Sequence, residues 1–142
     1  MSHATPSSTS AISAAMKFNH ISFPSTDVDA TAGFFERFLG CTVSSFGQSR
    51  IVKRFDFDIV IEHAGERAVA WPTNFHIGFE VPTASEVALL FRQFQDEGAQ
   101  LSTALLQHVR GSRFFAVVPG GVQVEINTRE DAAEAFRASF GR

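Results

Sequence analysis

Apolar and polar residues alternate along this chain in two runs that nearly repeat each other. Lys17–Phe23 reads K-F-N-H-I-S-F and Thr73–Phe79 reads T-N-F-H-I-G-F, so His-Ile-x-Phe starts at His20 and again at His76. Alternation with period two is the pattern of a half-buried strand. After each run the chain turns, at Pro24-Ser25-Thr26-Asp27 and at Pro82-Thr83, and the apolar period lengthens to that of a helix. Ala32, Phe35, Phe38 and Leu39 then lead to Gly40, while Val87, Leu90, Phe91 and Phe94 lead to Gly98. Thr83 followed three residues later by Glu86 is a capping box, with Thr26 and Asp29 as a weaker analogue. Each glycine suits the left-handed position that ends a helix. His and Gly are 20 residues apart in the first half and 22 in the second, so the halves keep step.

Strand-like runs follow each helix. They are expected at Cys41–Phe46, Ile51–Phe57 and Ile59–His63, then at Gln100–Gln107, Arg113–Val118 and Val122–Asn127, separated by Gly-, Ser- and Pro-rich turns. The predicted fold is α+β, two paired βαβββ modules forming a curved mixed sheet cup. Module one covers 17–64 and module two 73–128 within a domain of 16–128. Residues 1–15, mostly Ser, Ala and Thr, read as a disordered leader. Residues 129–142 are expected to form a short C-terminal helix capped by Thr128 or Asp131.

The same period places the polar residues. Ile21 and Phe23, Ile77 and Phe79, Ile59 and Ile61, and Val122 and Val124 supply the apolar faces that helices need. His20, His76, Glu62 and Glu125 then point away from the helices. Aligning Ile59-Val60-Ile61-Glu62 with Val122-Gln123-Val124-Glu125 gives each module one histidine and one carboxylate at matched places. His63 is the rival to Glu62, because a one-residue slip exchanges the faces of a strand. Two imidazoles and two carboxylates on a concave face suit a divalent metal, with zinc, nickel, manganese and iron all compatible. Such an ion is a Lewis acid for substrate oxygens, and Glu125 or Glu62 is placed to move a proton.

Composition narrows the function classes. The net charge of −3 carries no long basic run, which argues against nucleic acid and membrane-surface partners. No apolar stretch reaches the roughly 18 residues of a membrane span. The single cysteine, Cys41, cannot form an internal disulfide, which fits a cytoplasmic setting. It follows a helix C-terminus and reads as a small buried residue. Sixteen Phe and no Tyr point to a phenylalanine-filled core, although Trp71, Phe55 and Phe57 are also placed to line a groove.

The chain resembles the vicinal oxygen chelate superfamily of glyoxalases, bleomycin resistance proteins and dioxygenases. The resemblance runs through Phe18–Phe23 with Ser25-Thr26-Asp27-Val28, Phe34-Phe35, Phe38-Leu39-Gly40, Asn74–Phe79 and Phe114–Asn127. It implies metal ligands at His20, His76 and Glu125, with Glu62 as the fourth. It also implies a small-molecule substrate and a homodimer in which His20 and Glu62 of one subunit meet His76 and Glu125 of the other. Val118-Pro119-Gly120-Gly121 departs from the Asp-Pro-Asp/Glu-Gly of many members. The expected activity is that of a metal-dependent lyase, dioxygenase or thiol transferase, and the alternative is a metal-free, drug-binding resistance protein. Arg54, His108, Arg110 and Arg113 are candidates to hold an anionic substrate.

Overall fold

A computed structural model describes residues 12–140. Most of the predicted leader, residues 1–11, lies outside the described residues, as does the end of the chain after Phe140. Module one runs β1 (His20–Ser25), α1 (Val28–Leu39), β2 (Thr42–Phe46), β3 (Ser49–Lys53) and β4 (Asp58–His63). Module two runs β5 (His76–Glu80), α2 (Ala84–Asp96), β6 (Gln100–Leu101), β7 (Arg113–Val117) and β8 (Gln123–Asn127). Each module is a four-stranded mixed sheet, ordered β1-β4-β3-β2 and β5-β8-β7-β6, with its first and last strands parallel. The two-module α+β architecture is as the repeat predicts. Among the described residues no helix is long and apolar enough to cross a membrane.

The helix boundaries follow their local chemistry. Asp27, rather than Thr26, caps α1, because its Oδ1 accepts Ala30 N at 3.0 Å. Gly40 ends α1 in the left-handed region at φ 67°, which a Cβ disfavours. Thr83 caps α2 by accepting Glu86 N, while its hydroxyl donates to the Glu86 carboxylate. The predicted C-terminal helix is reduced to one 3₁₀ turn at Glu134–Phe136 with no buried residue. It has too little apolar surface to repay ordering a longer helix.

One apolar core joins the modules. Phe34 and Phe38 on α1 meet Phe94 on α2, Phe94 meets Phe114 on β7, and Phe35 reaches Phe79 on β5. Ile59, Ile61, Val124 and Ile126 fill the helix-covered sheet faces and are fully buried. A polar latch reinforces this join: buried Thr31 donates to Pro119 O, and Trp71 Nε1 donates to Gly120 O at 3.1 Å. Trp71 packs between Phe23 and Phe75, so it holds the modules together at the Pro119–Gly121 turn.

Candidate metal centre

The uncovered faces of the two sheets carry the candidate ligands. In module two His76 pairs in register with Gln123, and Gly78 with Glu125. This diagonal brings His76 Nε2 within 3.7 Å of Glu125 Oε1. His76 Nδ1 lies 2.8 Å from Asn74 O. A carbonyl only accepts, so Nδ1 carries a proton, and in the neutral ring Nε2 is then the nitrogen that holds the lone pair. That is the tautomer a metal-binding imidazole needs, oriented by its outer hydrogen bond.

Glu125 is 6% exposed, unusually buried for a carboxylate, and it is compensated on both oxygens. Asn127 Nδ2 donates to Oε1 at 3.2 Å and Arg113 Nη1 to Oε2 at 3.3 Å. Gly78 on β5 lies beside the carboxylate, and a Cβ there would make ordinary contact with Oε1 at 3.4 Å. The Phe115 ring meets His76 edge-on at 5.1 Å. His76, Gly78, Glu125 and Asn127 open into a cavity of about 600 Å³ lined also by Asp56, Phe57 and Glu80.

Module one presents a second, separate face. His20, Ser22, Asp58, Val60 and Glu62 line a cavity of about 480 Å³ that shares no lining residue with the first. His20 Nδ1 lies 2.6 Å from Asn19 Oδ1, again leaving Nε2 outward. Asp58, the in-register partner of His20, is ion-paired with Lys53. Glu62 shares this face, whereas His63 is on the opposite parity and accepts Gly65 N at the strand end.

The register revises the repeat. His20 pairs with Asp58 and Ser22 with Val60, so Val60 occupies the place that Glu125 holds in module two. Glu62 pairs with Pro24, corresponding to Asn127 opposite Glu80. It lies two residues, or about 7 Å, farther along the strand than the alignment of the final strands implies. A two-residue slip preserves the face, which is why alternation could not reveal it. Within one chain the two His/Glu pairs do not meet. Among the described residues no group of three or more His, Cys, Asp or Glu is placed to hold an ion.

The basic candidates divide. Arg54 Nη1 donates to Leu39 O at the end of α1, on neither ligand face. Arg113 contacts Glu125, and Arg110 lines cavities beside His76. His108 is exposed; desolvation first, then the charges of Arg113 and Arg110, lower its pKa. Sequence reasoning missed Gly78, Asn127 and Asp58, all on the ligand faces, and Arg129 and Phe140, which approach Glu125 from the C-terminal segment. Period two could have found Asn127 from Glu125. No strand pattern carries Arg129.

Several solved structures share this fold. A possible glyoxalase from Bacillus cereus is 23% identical, with a TM-score of 0.68 over 80% of this chain and 99% of its own. Lactoylglutathione lyase from Agrobacterium tumefaciens is 16% identical, with a TM-score of 0.65 over 82% of this chain and 96% of its own. Oxidase ChaP-H2 is 20% identical, with a TM-score of 0.68 over 84% of this chain and 98% of its own. Likeness at these identities establishes the fold alone. No curated protein matches the chain. The family model of the Glyoxalase/Bleomycin resistance protein/Dioxygenase superfamily matches residues 17–126, both modules from before β1 into β8, and the chain belongs to that superfamily.

Proposed function

We propose that the protein is a divalent-metal-dependent enzyme acting on a small substrate with oxygen donors, its ligands being His20, His76 and Glu125. The observation that carries this reading is the His76–Glu125 pair. Its imidazole is held at Nδ1 by Asn74 O, with Nε2 turned toward a buried carboxylate oxygen at 3.7 Å. The donor chemistry fits a metal ion. With Val60 at the fourth place, the set is two histidines and one carboxylate with positions left open. That set is the one used by non-haem iron(II) oxygenases, which favours oxygen chemistry over a four-ligand lyase. A bound ion would supply Lewis acidity toward substrate oxygens. Glu125 fixes the second half-site, and Glu62, farther along the first face, is left to move a proton.

The reading includes a homodimer, since each chain turns its two half-sites to different cavities. A site that joins His20 of one chain to His76 and Glu125 of another gives two equivalent centres in a two-fold dimer. Metal analysis of the purified protein, of His20→Ala and of His76→Ala tests this. Each variant should lose the ion, and subunit exchange between the two variants should restore about a quarter of the sites through heterodimers. Stoichiometric metal in His76→Ala rejects the ligand assignment, and no recovery after exchange rejects the shared site.

The Arg113 contact to Glu125 favours a second reading, a metal-free binding protein of the bleomycin resistance type. Ligand binding by metal-stripped protein, without turnover of any panel substrate, selects it.

A further inference from the structure

Beside Glu125 lies a second small cavity, about 130 Å³, lined by His76, Arg110, Arg113, Glu125, Arg129 and Phe140. Its charge is unbalanced. Three arginines line it with one glutamate, and that carboxylate is engaged only by Arg113 among them. Among the described residues no carboxylate lies within ion-pairing distance of Arg110 or Arg129. The nearby acidic side chains are committed elsewhere: Glu130 accepts Ala84 N, and Asp131 holds Ser112. Arg129 spends one Nη on Arg110 O, and its ring partner is Phe140 at 4.4 Å. The Nε atoms of Arg113 and Arg129 are buried without any hydrogen-bond partner. A buried guanidinium nitrogen without an acceptor is costly, so both side chains carry donor capacity that the protein itself leaves unsatisfied. The same positive field lowers the proton affinity of exposed His108, after desolvation.

We propose that Arg110, Arg113 and Arg129 form the recognition site for an oxyanion group of the substrate, a carboxylate or phosphate seated beside the Glu125 half-site. This deepens the proposed function and rests on it for the placement of the reacting oxygens. Guanidinium forks match either oxyanion with paired N–H donors, which lysines would not. The cavity shares His76, Glu125 and Phe140 with the larger one, so the body of an organic anion extends toward Phe57 and Gly78. Arg113 is the coupling element. Oε2 of Glu125 accepts from its Nη1, so a substitution that removes the carboxylate charge leaves more of the Arg113 fork to the incoming anion.

The test is calorimetric titration of metal-free protein with inorganic phosphate and, separately, with benzoate. The proteins are the wild type, Arg110→Gln, Arg129→Gln and Glu125→Gln, each checked for native circular dichroism. Removing one guanidinium donor should weaken the preferred anion about tenfold, as for the loss of a charged hydrogen bond. Glu125→Gln should tighten it several-fold by releasing Arg113. Tighter phosphate assigns a phosphorylated substrate and tighter benzoate a carboxylate. Equal anion affinity in the wild type and both arginine variants overturns the proposal, as does weaker binding in Glu125→Gln. Because no metal is present, failure here leaves the metal reading standing. Conversely, a wild-type protein that takes up no metal but still loses anion binding in the arginine variants rejects that reading alone.

Discussion

Phe94→Ala should cost about 4 kcal/mol of stability and leave the two ligand faces formed. Phe94 is wholly buried and lies 5.8 Å from Phe34, 4.7 Å from Phe38 and 5.2 Å from Phe114, ring centre to ring centre. Burying such a ring is worth about 1.5–3 kcal/mol in transfer alone. An unfilled cavity brings Phe→Ala losses to about 3–5 kcal/mol. The three ring pairs, worth about 0.5–1.5 kcal/mol each, keep this site from the low end of that range. Since whole domains hold only about 5–15 kcal/mol, the loss is about a quarter of the total or more. The assay is urea unfolding at fixed protein concentration, because assembly would shift the midpoint. Leu89→Ala, on the same helix but 51% exposed, is the control and should stay within about 0.5 kcal/mol. A Phe94→Ala loss below about 1.5 kcal/mol, or separate transitions for the two modules in the wild type, would refute a core shared through α1 and α2.

Other consequences are open to direct measurement. Val60→Glu places a carboxylate where module one lacks the counterpart of Glu125; it should tighten zinc, nickel or manganese binding at least tenfold, and unchanged metal titrations would contradict the register. Gly121→Ala meets both a φ of 106° and the Trp71 ring 2.8 Å from the new Cβ, so a stability loss of about 2 kcal/mol or more should appear in thermal unfolding. A neutral result there would show that Trp71 does not pin the turn. For Asp131, burial pushes the carboxyl pKa up, but hydrogen bonds from Ser112 Oγ and N outweigh it and hold it below the ordinary 3.8. A depressed carboxylate stabilises above its unfolded pKa and loses that benefit as pH falls through its folded one. The gap between wild type and Asp131→Asn in urea unfolding should thus be constant near neutrality and close in acid below the ordinary carboxylate range; a gap that widens in acid would reverse the sign.

The fold was legible because its signals are local and repeated. His-Ile-x-Phe, the helical phenylalanines and the terminal glycines each depend on neighbours within a few residues. Features set by partners distant in sequence were not legible. Strand β3 ends at Lys53 rather than Phe57, because Arg54 turns to the last carbonyl of α1 while Phe55 and Phe57 leave to meet Phe79 and Phe18. The strand expected over Gln100–Gln107 contracts to Gln100–Leu101, with one further bridge from Leu106 to Arg113. Alternation assigned Glu62 and His20 to one face, where they lie, yet it could not fix how far along β1 the Glu62 strand is paired. Ladder register is decided by hydrogen bonds between strands about 40 residues apart, and period two is blind to a shift of two.

That blindness matters most at the site, because the fold supplies places and leaves their chemistry to single side chains. Two βαβββ modules put four equivalent positions on the uncovered faces: residue 20 with residue 60, and residue 76 with residue 125. Here they are His, Val, His and Glu. The second half arrives prepared, its carboxylate buried and held by Asn127 and Arg113. The first half is exposed and offers one imidazole above an aliphatic residue. A half-buried Val60 donates nothing to an ion, so a site assembled from these positions keeps open places that a fourth carboxylate would fill. On the proposed reading, that single aliphatic position separates an oxygen-activating centre from a closed lyase-type one, and the arginines beside Glu125 decide which anions reach it.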